Sequence, residues 1–222
     1  MSNLNEIAKK YGTDKSSEVH NYCDKYAKYI NGFERYSEFK FLEIGVLDGD
    51  SLKTWKEYFY RAQITCIDIN PDCAQYAQDG INVEIGDQTD PEFLKRVVEK
   101  HGPFDLIIDD GSHINEHVIF SFKELFPTLK EKGTYIVEDC GTSYWDNYGG
   151  GRYKPGSTIE YFKGLADEVN FFGEYQENEE FGIHWRREDG LIPQFIRKGY
   201  DYIGTGIESL NFLNGIIIIT KR

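Results

Sequence analysis

The sequence predicts an α/β, Rossmann-like fold: a mostly parallel seven-stranded sheet with an antiparallel C-terminal hairpin and helices on both faces. Three observations predict it. From Lys40 onward, short apolar runs alternate with longer amphipathic stretches, the pattern of βαβ units feeding a parallel sheet. Each run is β-branched or aromatic at its centre and stops at an acid or a glycine, where the functional loops of an open sheet emerge. The chain then closes with two more apolar runs around a turn-containing segment, which suggests a hairpin.

Taken in order, residues 1–39 read as a helical N-terminal cap, with the tyrosines and His20 of HNYCDKYAKYI on helical spacing. The α/β domain occupies 40–222, and its parallel strands are KFLEIG at 40–45, QITCIDI at 63–69, INVEIG at 81–86, FDLIIDD at 104–110 and GTYIVED at 133–139. Helices are expected between them at 51–60, 71–78, 90–100 and 115–129. The rhythm changes after Gly141, and about 142–200, rich in tyrosine, tryptophan and glycine, reads as an insertion over the active-site edge with one helix near 157–170. DYIGTGI at 201–207 and GIIIIT at 215–220 form the hairpin strands, with ESLNFLN carrying the turn.

At 222 residues, one α/β domain with a sizeable core is expected. The net charge of -13 leaves no basic field for a phosphate backbone or an anionic membrane surface, so neither nucleic acid nor membrane is expected as a partner. A small-molecule substrate fits better. The cysteines at 23, 66, 73 and 140 form no CxxC pair and read as reduced, buried thiols. MSNLNEIAKK has no apolar targeting core, and the longest aliphatic run is Ile216 to Ile219, so the expected location is the cytoplasm.

The first strand-to-helix turn runs from Glu43 to Ser51 and lets backbone approach a ligand closely at Gly45 and Gly49. A dinucleotide site would need GxGxxG, whereas here an acid precedes the first glycine and the second comes four residues later. That acid repels a pyrophosphate but suits a ligand carrying an amine. S-adenosylmethionine has an ammonium, a sulfonium and no phosphate. Asp68, about 20 residues after the glycine turn, is placed to accept from ribose hydroxyls. Asp87 and Gln88 at the third strand end are placed for the adenine edge, and Asp109 for the pocket floor. Glu43, Gly45, Gly49, Ser51, Asp68, Asp87, Gln88 and Asp109 are thus the candidate cofactor residues.

Two dense clusters follow, Asp109 to His113 after the fourth strand and Glu138, Asp139 after the fifth. Carboxylates converging at one edge repel unless a cation sits between them, and oxygen ligands favour Mg²⁺ or Mn²⁺. Asp110, Glu138 and Asp139 are the candidate metal ligands. Such an ion chelates neighbouring substrate hydroxyls and lowers their pKa, and transfer then needs a base. An imidazole ordinarily titrates at about 6.5, the range for taking a proton from an activated hydroxyl, and His113 is the candidate catalytic base. A competing reading is the HxxEH of His113 to His117, a zinc-peptidase motif that requires both histidines on one helix.

The chain resembles the Mg²⁺-dependent sugar O-methyltransferases of antibiotic biosynthesis, the macrolide and rhamnosyl enzymes of the mycinamicin and macrocin type. The residues that carry the resemblance are YGTDK at 11–15 with His20 and Tyr22, FLEIGVLDGDSLKTW, CIDINP, GDQTD at 86–90, IDDGSH at 108–113, SFKELFPTLKEKGTYIVED at 121–139 and TSYW at 142–145. The resemblance implies a class I methyltransferase fold, S-adenosylmethionine as methyl donor, and a sugar or glycoside hydroxyl as acceptor. It also implies Asp110, Glu138 and Asp139 as metal ligands, His113 as base, and a homo-oligomer. Lys15 and His20 lie in a typical segment whose role the residues leave open. DNYGGGRYKPGST at 146–158 follows no acceptor pattern, so N-methylation of an aminosugar and catechol-type O-methylation stay as alternatives.

Overall fold

The computed structural model describes residues 3–30, 36–169 and 206–222. Its sheet consists of β1 (Lys40–Ile44), β2 (Gln63–Asp68), β3 (Ile81–Ile85), β4 (Leu106–Asp109), β5 (Thr134–Val137), β6 (Ile207–Leu213) and β7 (Ile216–Lys221), in the order β3-β2-β1-β4-β5-β7-β6. β1 to β5 pair in parallel, while β7 runs antiparallel to both β5 and β6. The expected architecture is the observed one. β1 lies between β2 and β4, so the chain reverses its direction of winding there, and the crevice at the carboxyl ends of β1 and β4 is where an open sheet binds ligands.

Alternation along the strands divides the interior into two apolar layers. Phe41, Ile64, Ile108 and Ile136 face one layer, packed with Trp55, Tyr22 and Tyr26. Leu42, Ile107, Tyr135 and Ile217 face the other, packed with Phe93, Phe122 and Phe162. The same period of two assigns the acids. Glu43 follows Phe41 and Glu138 follows Ile136 by two residues, so both lie on the Trp55 and Tyr26 side. Asp109 follows Ile107 onto the opposite side, where its carboxylate accepts from Tyr135 OH at 3.2 Å.

Helices α1 (Leu4–Tyr11) and α2 (Cys23–Tyr29) cover the first layer together with α3 (Asp50–Tyr58). α1 starts on a reciprocal capping box between Asn3 and Glu6 and ends at Gly12, whose left-handed φ of 83° turns the chain toward the sheet edge. α4 (Pro91–His101), α5 (Asn115–Leu125), α6 (Thr158–Gly164) and α7 (Ala166–Val169) lie on the second layer's side. α4 opens on an Asp90 N-cap with proline at its first turn.

Three boundaries differ from expectation. The 71–78 helix is a 3₁₀ turn over Pro71–Tyr76. The 115–129 helix stops at Leu125, and Pro127 sits in a separate 3₁₀ turn, Phe126–Thr128. In the hairpin, residues 208–213 of the ESLNFLN segment expected to carry the turn belong to strand β6, and the turn is Asn214, the last residue of that segment, with Gly215. Asn-Gly is the strongest short hairpin signal, because Gly215 takes φ 83° without cost, and it outweighed the polar residues of β6. Residues 201–205 of the expected first hairpin strand, and 170–200 of the expected insertion, lie outside the described residues. All four cysteines are free and buried. Among the described residues no helix is long and apolar enough to cross a membrane.

Candidate active site

A cavity of about 610 Å³ opens at the carboxyl ends of β1 to β4. Gly45 makes it possible. Its φ is 94°, and a Cβ there would lie 2.2 Å from the Asp110 carbonyl oxygen, so only glycine lets the β1 turn close against the β4 turn. Asp68 braces the same turn: Oδ2 accepts from Val46 N at 2.8 Å and Oδ1 from Asn70 N at 2.8 Å. Asp87 accepts from both the backbone N and the Oγ1 of Thr89 at 2.8 Å, and these donors hold its carboxyl below the usual range.

The eight expected cofactor residues divide into two sets. Gly45, Ser51, Asp68, Asp87 and Gln88 line the cavity. Glu43, Gly49 and Asp109 stand behind its wall. Glu43 is fully buried, accepts from Trp55 Nε1 at 3.0 Å and Ser51 Oγ at 2.9 Å, and is pushed up to about 7 by burial. Gly49 precedes α3 with φ 71°. Asp109 is likewise raised by burial to about 7. Gln88 lines the cavity but spends its amide on structure, accepting from Ser112 N at 2.8 Å and donating to Ser121 Oγ at 2.9 Å.

At the β4 and β5 ends, Asp110, His113 and Asp139 offer ligand atoms that all lie within 4.8 Å of one another. His113 Nε2 is 3.9 Å from Asp110 Oδ1 and 3.6 Å from Asp139 Oδ2. His113 and Asp139 both hold left-handed backbone, φ 58° and 50°, the kind of local strain that collects at functional sites. The carboxylate oxygens of Asp110 and Asp139 are of the kind that suits a hard divalent cation. Glu138 is close but engaged: Lys15 Nζ donates to Oε2 at 3.0 Å and Tyr26 OH donates to Oε1.

Residues 42–140 match the family model for a methyltransferase domain. The chain is 41% identical over 179 residues to L-olivosyl-oleandolide 3-O-methyltransferase of Streptomyces antibioticus, covering 76% of this chain and 46% of that protein. It is 33% identical over 228 residues to mycinamicin VI 2''-O-methyltransferase of Micromonospora griseorubida, covering 89% and 56%. The chain is thus similar to these sugar O-methyltransferases over most of its own length, and its residues 42–140 match a methyltransferase domain. Among solved structures, MycE methyltransferase from the mycinamycin biosynthetic pathway, in complex with Mg, SAH and mycinamycin VI, superimposes with a TM-score of 0.81 at 30% identity, covering 99% of this chain and 53% of that one. The chain spans about half the length of the curated relatives it matches.

Within this methyltransferase domain, the zinc-peptidase geometry is not formed. α5 begins at Asn115, so His113 precedes it, and His117 Nδ1 pairs with Ser112 Oγ at 3.0 Å. One residue of the site had no assignable role in the sequence. Lys15, 2% exposed, lies on the loop after α1, and its ammonium donates to Asp110 Oδ2 and Glu138 Oε2 and stands 3.9 Å from Glu43. Burial works against its charge, but Asp110, Glu138 and Glu43 outweigh burial and raise its pKa well above the ordinary value. Burial and the adjacent Asp110 charge in turn raise Glu138. The available signal was the helix stop at Gly12 followed by a lone cation.

Proposed function

We propose that this chain transfers a methyl group from S-adenosylmethionine to a hydroxyl of a sugar or glycosylated small molecule, in a reaction that depends on Mg²⁺ or Mn²⁺. The observation that carries the reading is the Asp110, His113, Asp139 cluster at the mouth of a cleft walled by acids. A cavity of about 610 Å³ is of the size that takes a cofactor. Its acids suit a ligand with two positive centres and no phosphate. Asp68 and Asp87, each anchored by backbone donors, are positioned to accept from ribose and adenine. Gly45 gives the ligand access to bare backbone. The MycE structure holds SAH and Mg together with its macrolide, which supports the same ligands here.

Asp110 and Asp139, with Glu138 behind them, are the residues to hold the cation. When bound, the ion supplies positive charge that lowers the pKa of an acceptor hydroxyl. Mg²⁺ prefers oxygen, which leaves the His113 imidazole free to take the proton at Nε2, beside both carboxylates that stabilise the resulting imidazolium. Past Asp139, the exposed Tyr144, Trp145 and Tyr153 offer flat apolar faces with polar tips, which suit a sugar ring. The N-terminal segment is read as a helical cap on this domain and residues about 142–200 as the acceptor-side insertion. The enzyme is taken as a cytoplasmic homo-oligomer.

A panel of nucleotide sugars, glycosides, aminosugars and catechols incubated with methyl-labelled S-adenosylmethionine and Mg²⁺ tests the acceptor class. Label on a sugar oxygen is the expected outcome. Label found only on an amine or a catechol overturns the sugar-hydroxyl assignment, and label on none of them overturns the activity.

A further inference from the structure

Three side chains of the N-terminal segment donate hydrogen bonds to the carboxylates Asp110, Glu138 and Asp139 at the acidic edge, and His20 Nε2 stands 3.9 Å from Asp139 Oδ1. Lys15 Nζ donates to Asp110 Oδ2 and to Glu138 Oε2, the latter at 3.0 Å. Tyr26 OH donates to Glu138 Oε1, and Tyr22 OH donates to Asp139 Oδ1 at 2.7 Å. Asp110 Oδ1 and Asp139 Oδ2 are the oxygens that face His113 Nε2, at 3.9 and 3.6 Å. Both oxygens of Glu138 are therefore committed to the segment, while Asp110 is shared between Lys15 and the cluster.

The lysine is held in place by its own loop. Its carbonyl accepts from Tyr22 N at 2.9 Å and Cys23 N at 3.1 Å, which ties the start of α2 to the point where the Lys15 stem enters the interior. The side chain is 2% exposed, so the ammonium has no water to replace the carboxylates. An ammonium is a compact point charge that uses the same oxygens as a hard metal ion.

We propose that Lys15 is a resident counter-ion of the metal site, which competes with the divalent cation for Asp110 and Glu138 and so sets how tightly that cation is held. The inference rests on the reading of Asp110, Glu138 and Asp139 as the cation's ligands. Lys15 is a positioning residue, acting through the carboxylates. Before the cation arrives it keeps them from repelling one another, and afterwards its charge opposes the ion's.

Binding of Mn²⁺ to the full chain, followed through the paramagnetic resonance signal of free Mn²⁺, tests this with Lys15→Met, which keeps the length and removes the charge. Wild-type protein that binds no Mn²⁺ overturns the ligand reading and this inference together. Given wild-type binding, the variant is expected to hold Mn²⁺ at least about tenfold more tightly, a difference of about 1.4 kcal/mol. Unchanged or weaker affinity in the folded variant overturns the counter-ion role and leaves the ligand reading standing. Should the variant not fold, wild-type protein carrying ¹³C-labelled lysine answers the same question. The Lys15 Cε signal, assigned by through-bond correlation, is expected to shift as Mg²⁺ is added and to saturate with it. A signal that stays fixed at Mg²⁺ saturation overturns the proposal, because a lysine that only props the fold would lower Tm without sensing the ion.

Discussion

Replacing His113 by alanine is expected to lower kcat by about 10²-fold or more while affinity for S-adenosylmethionine is kept. The reason is geometric. Nε2 sits within 3.9 Å of two acids on separate strand ends, so the imidazole is at the only cluster of metal-capable groups found among the described residues. Gly45, Asp68 and Asp87, the residues proposed to hold the donor, line the cavity elsewhere, on the β1 to β3 ends. One complication is the backbone, since a φ of 58° is less tolerable for alanine than for histidine. His113→Asn separates the two effects, because asparagine accepts left-handed backbone and still cannot serve as the base. Both variants should lose turnover alike in steady-state assays. A variant retaining wild-type kcat would remove His113 from the chemistry.

The second large effect is on stability. Phe122→Ala should cost about 3–5 kcal/mol, read as a lower urea midpoint with an unchanged slope. Phe122 is fully buried at the centre of an aromatic cluster, 4.8 Å from both Phe126 and Phe162 and 5.2 Å from Tyr135, ring centre to ring centre. These partners come from the 3₁₀ turn after α5, from α6 and from β5, so the void cannot collapse around one flexible neighbour. Tyr135 also donates to Asp109 beneath the site, which couples the cluster to the β4 end. Phe212→Ala, at a 42% exposed position on β6, is the matched comparison and should cost under about 1 kcal/mol. Equal losses at the two positions would contradict the assignment of this layer as the core.

The strand ends were legible in the sequence because parallel strands buried on both faces are continuous apolar runs, and an acid or glycine marks where each one stops. The side to which adjacent acids turn was not legible. Asp109 was read as the pocket floor and Asp110 as a metal ligand, and the pleat buries Asp109 against Tyr135 while it sends Asp110 toward Lys15 and His113. Glu43 looked like a ligand contact because it precedes the glycine turn. Its parity instead points it at Trp55 and Ser51, behind the cavity wall. Lys15 escaped for a different reason: its partners lie 95 and 123 residues away, and no local pattern announces a pairing across that distance. The hairpin was shifted because polar residues in β6 resembled a turn more than the Asn214 and Gly215 that make it.

A divalent cation held at Asp110 and Asp139 is proposed to enable methyl transfer from the adjoining cleft. Transfer of labelled methyl from S-adenosylmethionine to a glycoside acceptor, measured in EDTA and again after Mg²⁺ is restored, tests it most directly. Label incorporation is expected to fall to background in EDTA and to recover with Mg²⁺. Incorporation at the full rate with EDTA present would contradict it.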